Sequence, residues 1–125
     1  MAPEIHMMVG GLVLLIGIAN GIWTTIAAKR AKTASTALFA SVVVMTILLL
    51  LQVLLGLDLF SRGLRPAQGI LAIVHMLGPI IALVVAVVLV FGNPQRLTRR
   101  YIPASHLTAA VAVISYIIGE MGTHQ

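Results

Sequence analysis

"LAIVHMLGPIIALVVAVVLV", residues 71–90, contains no charged residue, yet it carries His75 in its interior and Pro79 one helical turn later. A helix that crosses a bilayer needs roughly 20 predominantly apolar residues, and this stretch meets that length by itself. The rest of the chain follows the same composition. Of 125 residues, 60% are hydrophobic and 9% charged, and the mean hydropathy is +1.10. A soluble domain carries about 25% charged residues. Four apolar segments are expected to span a membrane, at residues 5–28, 37–59, 67–91 and 102–119. The first is longer than a signal-peptide core and is followed by no small-residue cleavage site, so it reads as a retained helix.

The connections are short: "AKRAKTAST" (28–36), "SRGLRPAQG" (61–69) and "GNPQRLTRR" (92–100), punctuated by Gly63, Pro66, Gly92 and Pro94. Short connections make consecutive helices antiparallel neighbours. The predicted fold is therefore all-α, an integral membrane four-helix up-down-up-down bundle in a single domain. No internal repeat is evident.

Charge placement sets an expected orientation. Lys29, Arg30 and Lys32 fill the first loop and Arg96, Arg99 and Arg100 the third, so these two loops hold six of the eight basic residues and no acid. Glu4, Asp58, Arg62, Arg65 and Glu120 lie at the opposite ends of the helices. The positive-inside rule then places the basic loops in the cytoplasm and both termini outside, as in a bacterial inner membrane. The net charge of +5 fits anionic headgroups in the lipid bilayer better than nucleic acid. Absence of cysteine excludes disulfides, thiolate metal sites, iron–sulfur clusters and covalent haem attachment.

At 100° per residue, each helix shows a narrow arc of small or polar residues. Helix one aligns His6, Gly10, Gly17 and Gly21. Helix two aligns Ser41, Met45, Gln52 and Gly56, and helix three Ala72, His75, Pro79, Ala82 and Ala86. Helix four aligns His106, Ala110, Val113, Ile117, Glu120 and His124. Tight packing through small residues accounts for most of these arcs. It does not account for histidines on them. Ionisable groups inside membrane helices are rare and usually functional, although His75 could instead hydrogen-bond a neighbour such as Gln52.

His75 lies nine residues beyond Pro66, roughly 13 Å along the helix axis. Pro79 has no N–H for the His75 carbonyl. Whether His6 reaches the same depth depends on the register. Counted from the basic anchors, Lys29 to His6 is 23 residues and Arg96 to His75 is 21, a difference of about 3 Å in height. Aligned instead on the centres of the apolar spans, the mismatch is about 10 Å. If the heights match, His6 and His75 could be the two axial ligands of one haem, with room left by Gly10, Ala72 and Ala82 and with Arg62, Arg65 or both meeting propionates.

"HMMVGGLVLLIG" (6–17), "LLLLQVLLGLDLF" (48–60) and "RPAQGILAIVHMLG" (65–78) resemble one half of haem A synthase. That family presents a His-x-x-x-Gly helix start, a Leu-Gln-x-x-Leu-Gly helix and a helix with an interior histidine. The resemblance covers about residues 6–91. It implies His6 and His75 as the axial pair and assigns Gln52 to the middle helix. The family has two such bundles, however, and this chain has one; the carboxylate that usually precedes the first histidine is displaced to Glu4. Haem b binding is the expectation rather than haem A synthesis. The likeness to other four-helix b-type cytochromes is looser.

His106 approaches the opposite membrane face and cannot share an iron with His6. It closes the start of helix four, or serves a second metal site, a proton relay or a quinone contact. His124 is expected to be solvated or to join Glu4, Asp58 or Glu120 at a metal ion. The expected function is electron transfer or haem handling by a small b-type cytochrome, with a membrane quinone or a larger complex as partner and a homo-oligomer as one assembly. Two other classes are a non-catalytic subunit of a larger respiratory or photosynthetic complex and a small multidrug-type transporter. The transporter needs an intramembrane carboxylate, and every acid here sits at a membrane edge.

Overall fold

The computed structural model describes residues 2–65 and 68–123 and contains four long helices: α1 (Ala2–Arg30), α2 (Thr36–Ser61), α3 (Ile70–Phe91) and α4 (Tyr101–Thr123). All four are long and apolar enough to cross a membrane, and no strand occurs among the described residues. The ends have local causes. Pro3 and Glu4 occupy the first turn of α1, where a missing N–H costs nothing and a carboxylate faces the positive end of the helix dipole. Lys29 and Arg30 close its last turn, where the dipole is negative. Ser35 caps α2 by accepting the Leu38 N–H at 3.2 Å. Gly69, at φ +62°, turns the chain into α3, which starts at Ile70; the expected start at residue 67 lies outside the described residues. At Gly92 a Cβ would run into the Val88 carbonyl, so α3 ends there.

The chain runs up-down-up-down. Helix α1 packs on α2 and α4, and α3 packs on α4 and α2, which sets α1 and α3 across a diagonal. Two halves follow: a basic half, holding the α1–α2 and α3–α4 connections, and a terminal half, holding both chain ends and the α2–α3 turn. The core of the basic half is Leu38, Val42, Met45, Ala86, Val90, Tyr101 and Ala104, all essentially without exposure. A second cluster of Val9, Val13, Leu49 and Ala82 lies between this core and the terminal half. Gly17 sets the spacing of α1 and α4, since a Cβ there would stand 3.2 Å from the Ala109 Cα.

Three of the arcs expected from sequence lie largely inward. Helix α4 differs. His106, Ala110, Val113 and Ile117 are exposed, and the buried face carries Tyr101, Ala104, Ser105, Thr108 and Ile118. In lipid, apolar residues gain nothing by turning inward, so the small hydroxyl-bearing face takes the interior. Asn20 shows the same logic. Only 1% exposed, it donates to the Ser41 carbonyl at 3.1 Å and accepts the Ser41 hydroxyl at 2.6 Å.

Candidate functional site

The terminal half holds a cavity of about 370 Å³ to which all four helices contribute. Its size is in the range of small-molecule and cofactor pockets, roughly 300–1,000 Å³. His6 enters from α1 and His75 from α3, across the diagonal, with ring centroids 6.2 Å apart and planes inclined by 56°. The register anchored on the basic residues is thus the one adopted. The pair meets in a space lined otherwise mostly by apolar groups, including Leu49, Val53, Ile80 and Val111.

Both histidines pack against glycines, closely only in the case of His6. A Cβ on Gly56 of α2 would lie 3.2 Å from His6 Cε1, and one on Gly119 of α4 would lie 3.7 Å from His75 Cε1. Gln52 Nε2 is 3.3 Å from His6 Nε2. The hydrogen-bond candidate anticipated for His75 therefore belongs to His6. Gln52 sits where a Cβ on Gly10 would come within 3.0 Å of its amide nitrogen. Gly10 lines the cavity as expected, and the space it leaves is filled by that amide. The backbone of Ser115 lies within electrostatic reach of the His75 ring. The Nδ1 atoms of both histidines are buried without a hydrogen-bond partner, as is Gln52 Oε1.

Those unpartnered atoms are costly, as are the buried hydroxyls of Thr98, Tyr101, Ser105 and Thr108 elsewhere in the bundle. A buried donor or acceptor left unpaired costs about 1–3 kcal/mol. A metal-bound neutral imidazole donates its other N–H to an acceptor. The Gln52 amide nitrogen instead donates to His6 Nε2, so ligation by His6 Nδ1 would need the amide turned to present Oε1, which is buried without a partner. Two imidazoles on one metal, at about 2.0–2.1 Å per metal–nitrogen bond, have ring centres about 6.3 Å apart. The observed centroid separation of 6.2 Å is of that order. The inclination of the planes is no obstacle, because each ring can rotate about its own metal–nitrogen axis. Among the described residues no group of three or more His, Cys, Asp or Glu side chains gathers to cage an ion, so any metal held here needs its remaining ligands from elsewhere.

The two arginines separate. Arg65 lines the cavity, and its guanidinium lies 5.1 Å from the centre of the Phe60 ring. Arg62 does not reach the cavity; it pairs with Asp58 one turn back, Nε to Oδ2 at 3.0 Å, because both project from the same face at i and i+4. Its expected role as an anion ligand is corrected. Ala72 and Ala82 do not line the space either, and Ala82 belongs to the packed cluster beneath it. Pro79 does line it, leaving the His75 carbonyl without a helical donor.

His106 lies in the basic half, exposed, with Nε2 2.9 Å from Thr25 Oγ1. The Thr25 hydroxyl donates to the Gly21 carbonyl at 2.7 Å, so the ring nitrogen is the donor to Thr25. No other described histidine lies there, and His106 ties α4 to α1. His124 falls outside the described residues. Sequence reasoning missed Met7, Met76, Ser115, Tyr116 and Gly119, all of which line the cavity. The first two carried a visible signal, since a methionine follows each histidine directly.

Comparison with family models, with curated proteins and with solved structures finds no match. The resemblance to haem A synthase therefore rests on the quoted residues alone.

Proposed function

We propose that this chain is a small membrane b-type cytochrome that holds one haem through His6 and His75 and serves electron transfer or haem handling. The observation that carries the reading is the meeting of the two rings at 6.2 Å in a cavity where each retains an unpartnered nitrogen. Two imidazoles need four further donors to complete an octahedral metal, and a porphyrin brings four. Arg65 is the cation on hand for a propionate, and Gln52 orients His6. Haem would supply one-electron exchange between ferric and ferrous iron. Haem held by both His6 and His75 would leave no position open to oxygen or substrate, so bond-making catalysis is not expected. A quinol in the bilayer or a larger membrane complex would exchange the electron.

Purified protein reconstituted with haem should give a Soret band and a low-spin spectrum, and the reduced form should leave carbon monoxide unbound. Acid acetone should extract the haem, since no cysteine is present to tether it. A protein that takes up no haem defeats the proposal. A tight stoichiometric carbon monoxide complex moves it towards an enzyme.

A second reading comes from Met7 and Met76, which line the same cavity as the histidines. Thioether and imidazole together suit Cu(I). Copper bound at one equivalent by haem-free protein, and lost in Met76→Ala, would favour this reading.

The charge bias favours both termini outside and the basic loops in the cytoplasm. In intact cells Ser61→Cys should react with an impermeant thiol reagent and Arg30→Cys should not. The reverse pattern would invert the topology.

A further inference from the structure

The basic half carries a second feature that the histidine cavity does not explain. The α1–α2 and α3–α4 connections are zipped together by an isolated antiparallel bridge between Thr33 and Leu97, 64 residues apart in sequence. The Ala34 N–H donates to the Arg96 carbonyl at 2.8 Å and the Thr98 N–H to the Lys32 carbonyl at 2.9 Å. The Asn93 side chain braces the second loop from within: its Oδ1 accepts the Leu97 N–H at 2.9 Å and its Nδ2 donates to the Leu97 carbonyl at 3.2 Å.

The cations then divide into two sets. Arg96, held at φ +49°, lies with its guanidinium 4.1 Å from the centre of the Phe39 ring. Arg100 donates to the Gly92 carbonyl. Both are used in building the loops. Lys32 and Arg99 instead line a groove of about 350 Å³ between the two connections, together with Gln95, Ala28, Ala31 and Leu97. All three acids among the described residues, Glu4, Asp58 and Glu120, belong to the terminal half. Among the described residues no acidic side chain lines this groove.

We propose that the groove is a binding site for the phosphodiester headgroup of an anionic phospholipid. Lys32 and Arg99 meet the phosphate oxygens, and Arg99 has the planar fork that suits them. Gln95 offers an amide donor to the ester or glycerol oxygens. The lining of Ala28, Ala31 and Leu97 suits the glycerol and the start of an acyl chain, which a free phosphate does not have. The groove also lies where α1 ends, at Arg30, and just before α4 begins, the depth at which headgroups sit beside spanning helices. The bridge keeps the two cations of different loops on one groove before any lipid arrives, so ordering them costs little on binding.

The test is lipid retention by purified protein, read by native mass spectrometry after incubation with phosphatidylglycerol or phosphatidylcholine. Wild type should retain phosphatidylglycerol in preference. A hydrogen bond to a charged group contributes roughly tenfold or more, so Lys32→Gln/Arg99→Gln, which removes both phosphate partners, should lose at least about tenfold. Lys29→Gln/Arg30→Gln removes two cations outside the groove lining and should keep most of the preference. Equal loss in both double variants would reduce the effect to diffuse charge and overturn the site. Displacement of the lipid by millimolar inorganic phosphate would overturn the lipid as ligand. Gln95→Leu, which changes no charge, should weaken retention severalfold, and Lys32→Arg should preserve it. An unchanged Gln95→Leu variant would also count against the groove. Unaltered helicity by circular dichroism distinguishes these outcomes from misfolding.

Discussion

The two halves of the bundle are made of the same kinds of residue and solve opposite problems. In the basic half, Leu38, Val42, Met45, Ala86, Val90, Tyr101 and Ala104 close the interior completely, and a backbone bridge locks the loops over it. Two polar pairs there, Asn20–Ser41 and Thr25–His106, tie helix to helix, while the buried hydroxyls of Thr98, Tyr101, Ser105 and Thr108 have no hydrogen-bond partner. In the terminal half the helices enclose an open cavity, and two histidines and a glutamine stay inside it with bonding capacity unused. Within lipid there is little hydrophobic force between helices, so packing density and hydrogen bonds decide stability. The contrast is therefore one of packing: one half is closed and the other holds a cavity.

The largest effect should come from breaching the closed half. Tyr101→Ala empties a fully buried ring site and should cost about 3–5 kcal/mol in unfolding free energy, the range for aromatic-to-alanine truncation, measured by denaturant titration in detergent. A cost below about 1 kcal/mol would mean that the two halves share the load.

His75→Ala should invert that pattern. The low-spin haem spectrum should vanish while unfolding changes by less than about 1 kcal/mol, because the ring leaves an already open cavity and takes an unpartnered nitrogen with it. An unaltered spectrum would remove His75 from the ligand pair. Asn20→Ala should then fall close to 1 kcal/mol, near the usual worth of an interhelical hydrogen bond in membranes.

Smaller still, Gln52→Leu should keep haem and stability but move the midpoint potential by about tens of millivolts, since hydrogen bonds to axial ligands tune the iron. Potentiometric titration reads this directly, and an unchanged potential would leave Gln52 as packing only. His106→Ala should leave the haem spectrum alone and cost about 0.5 kcal/mol through the lost tie to Thr25. Loss of haem in that variant would erase the distinction between the halves.

Much of this was legible from the chain. Apolar length alone marks four spanning helices, because a backbone in lipid has few ways to satisfy its hydrogen bonds. The short connections dictate antiparallel neighbours. His6, Gln52 and His75 stand out as polar groups where polarity is expensive. The inward face of α4 was not legible. When almost every residue is apolar, amphipathic periodicity fades, and the buried face is chosen by side-chain volume against a particular neighbour, as Gly17 meets Ala109.

What the sequence by itself determined is the number of spans, their order and the separation of basic from acidic ends, all properties that depend on solvent and chain length. Tertiary structure decided which groups meet. Register brings His6 and His75 together across the diagonal, pairing gives Arg62 to Asp58 while Arg65 faces the cavity, and a bridge joins two loops into one groove. These depend on ångström-scale height and rotation between helices. Such offsets arise from close packing of specific side chains, and composition carries no record of them.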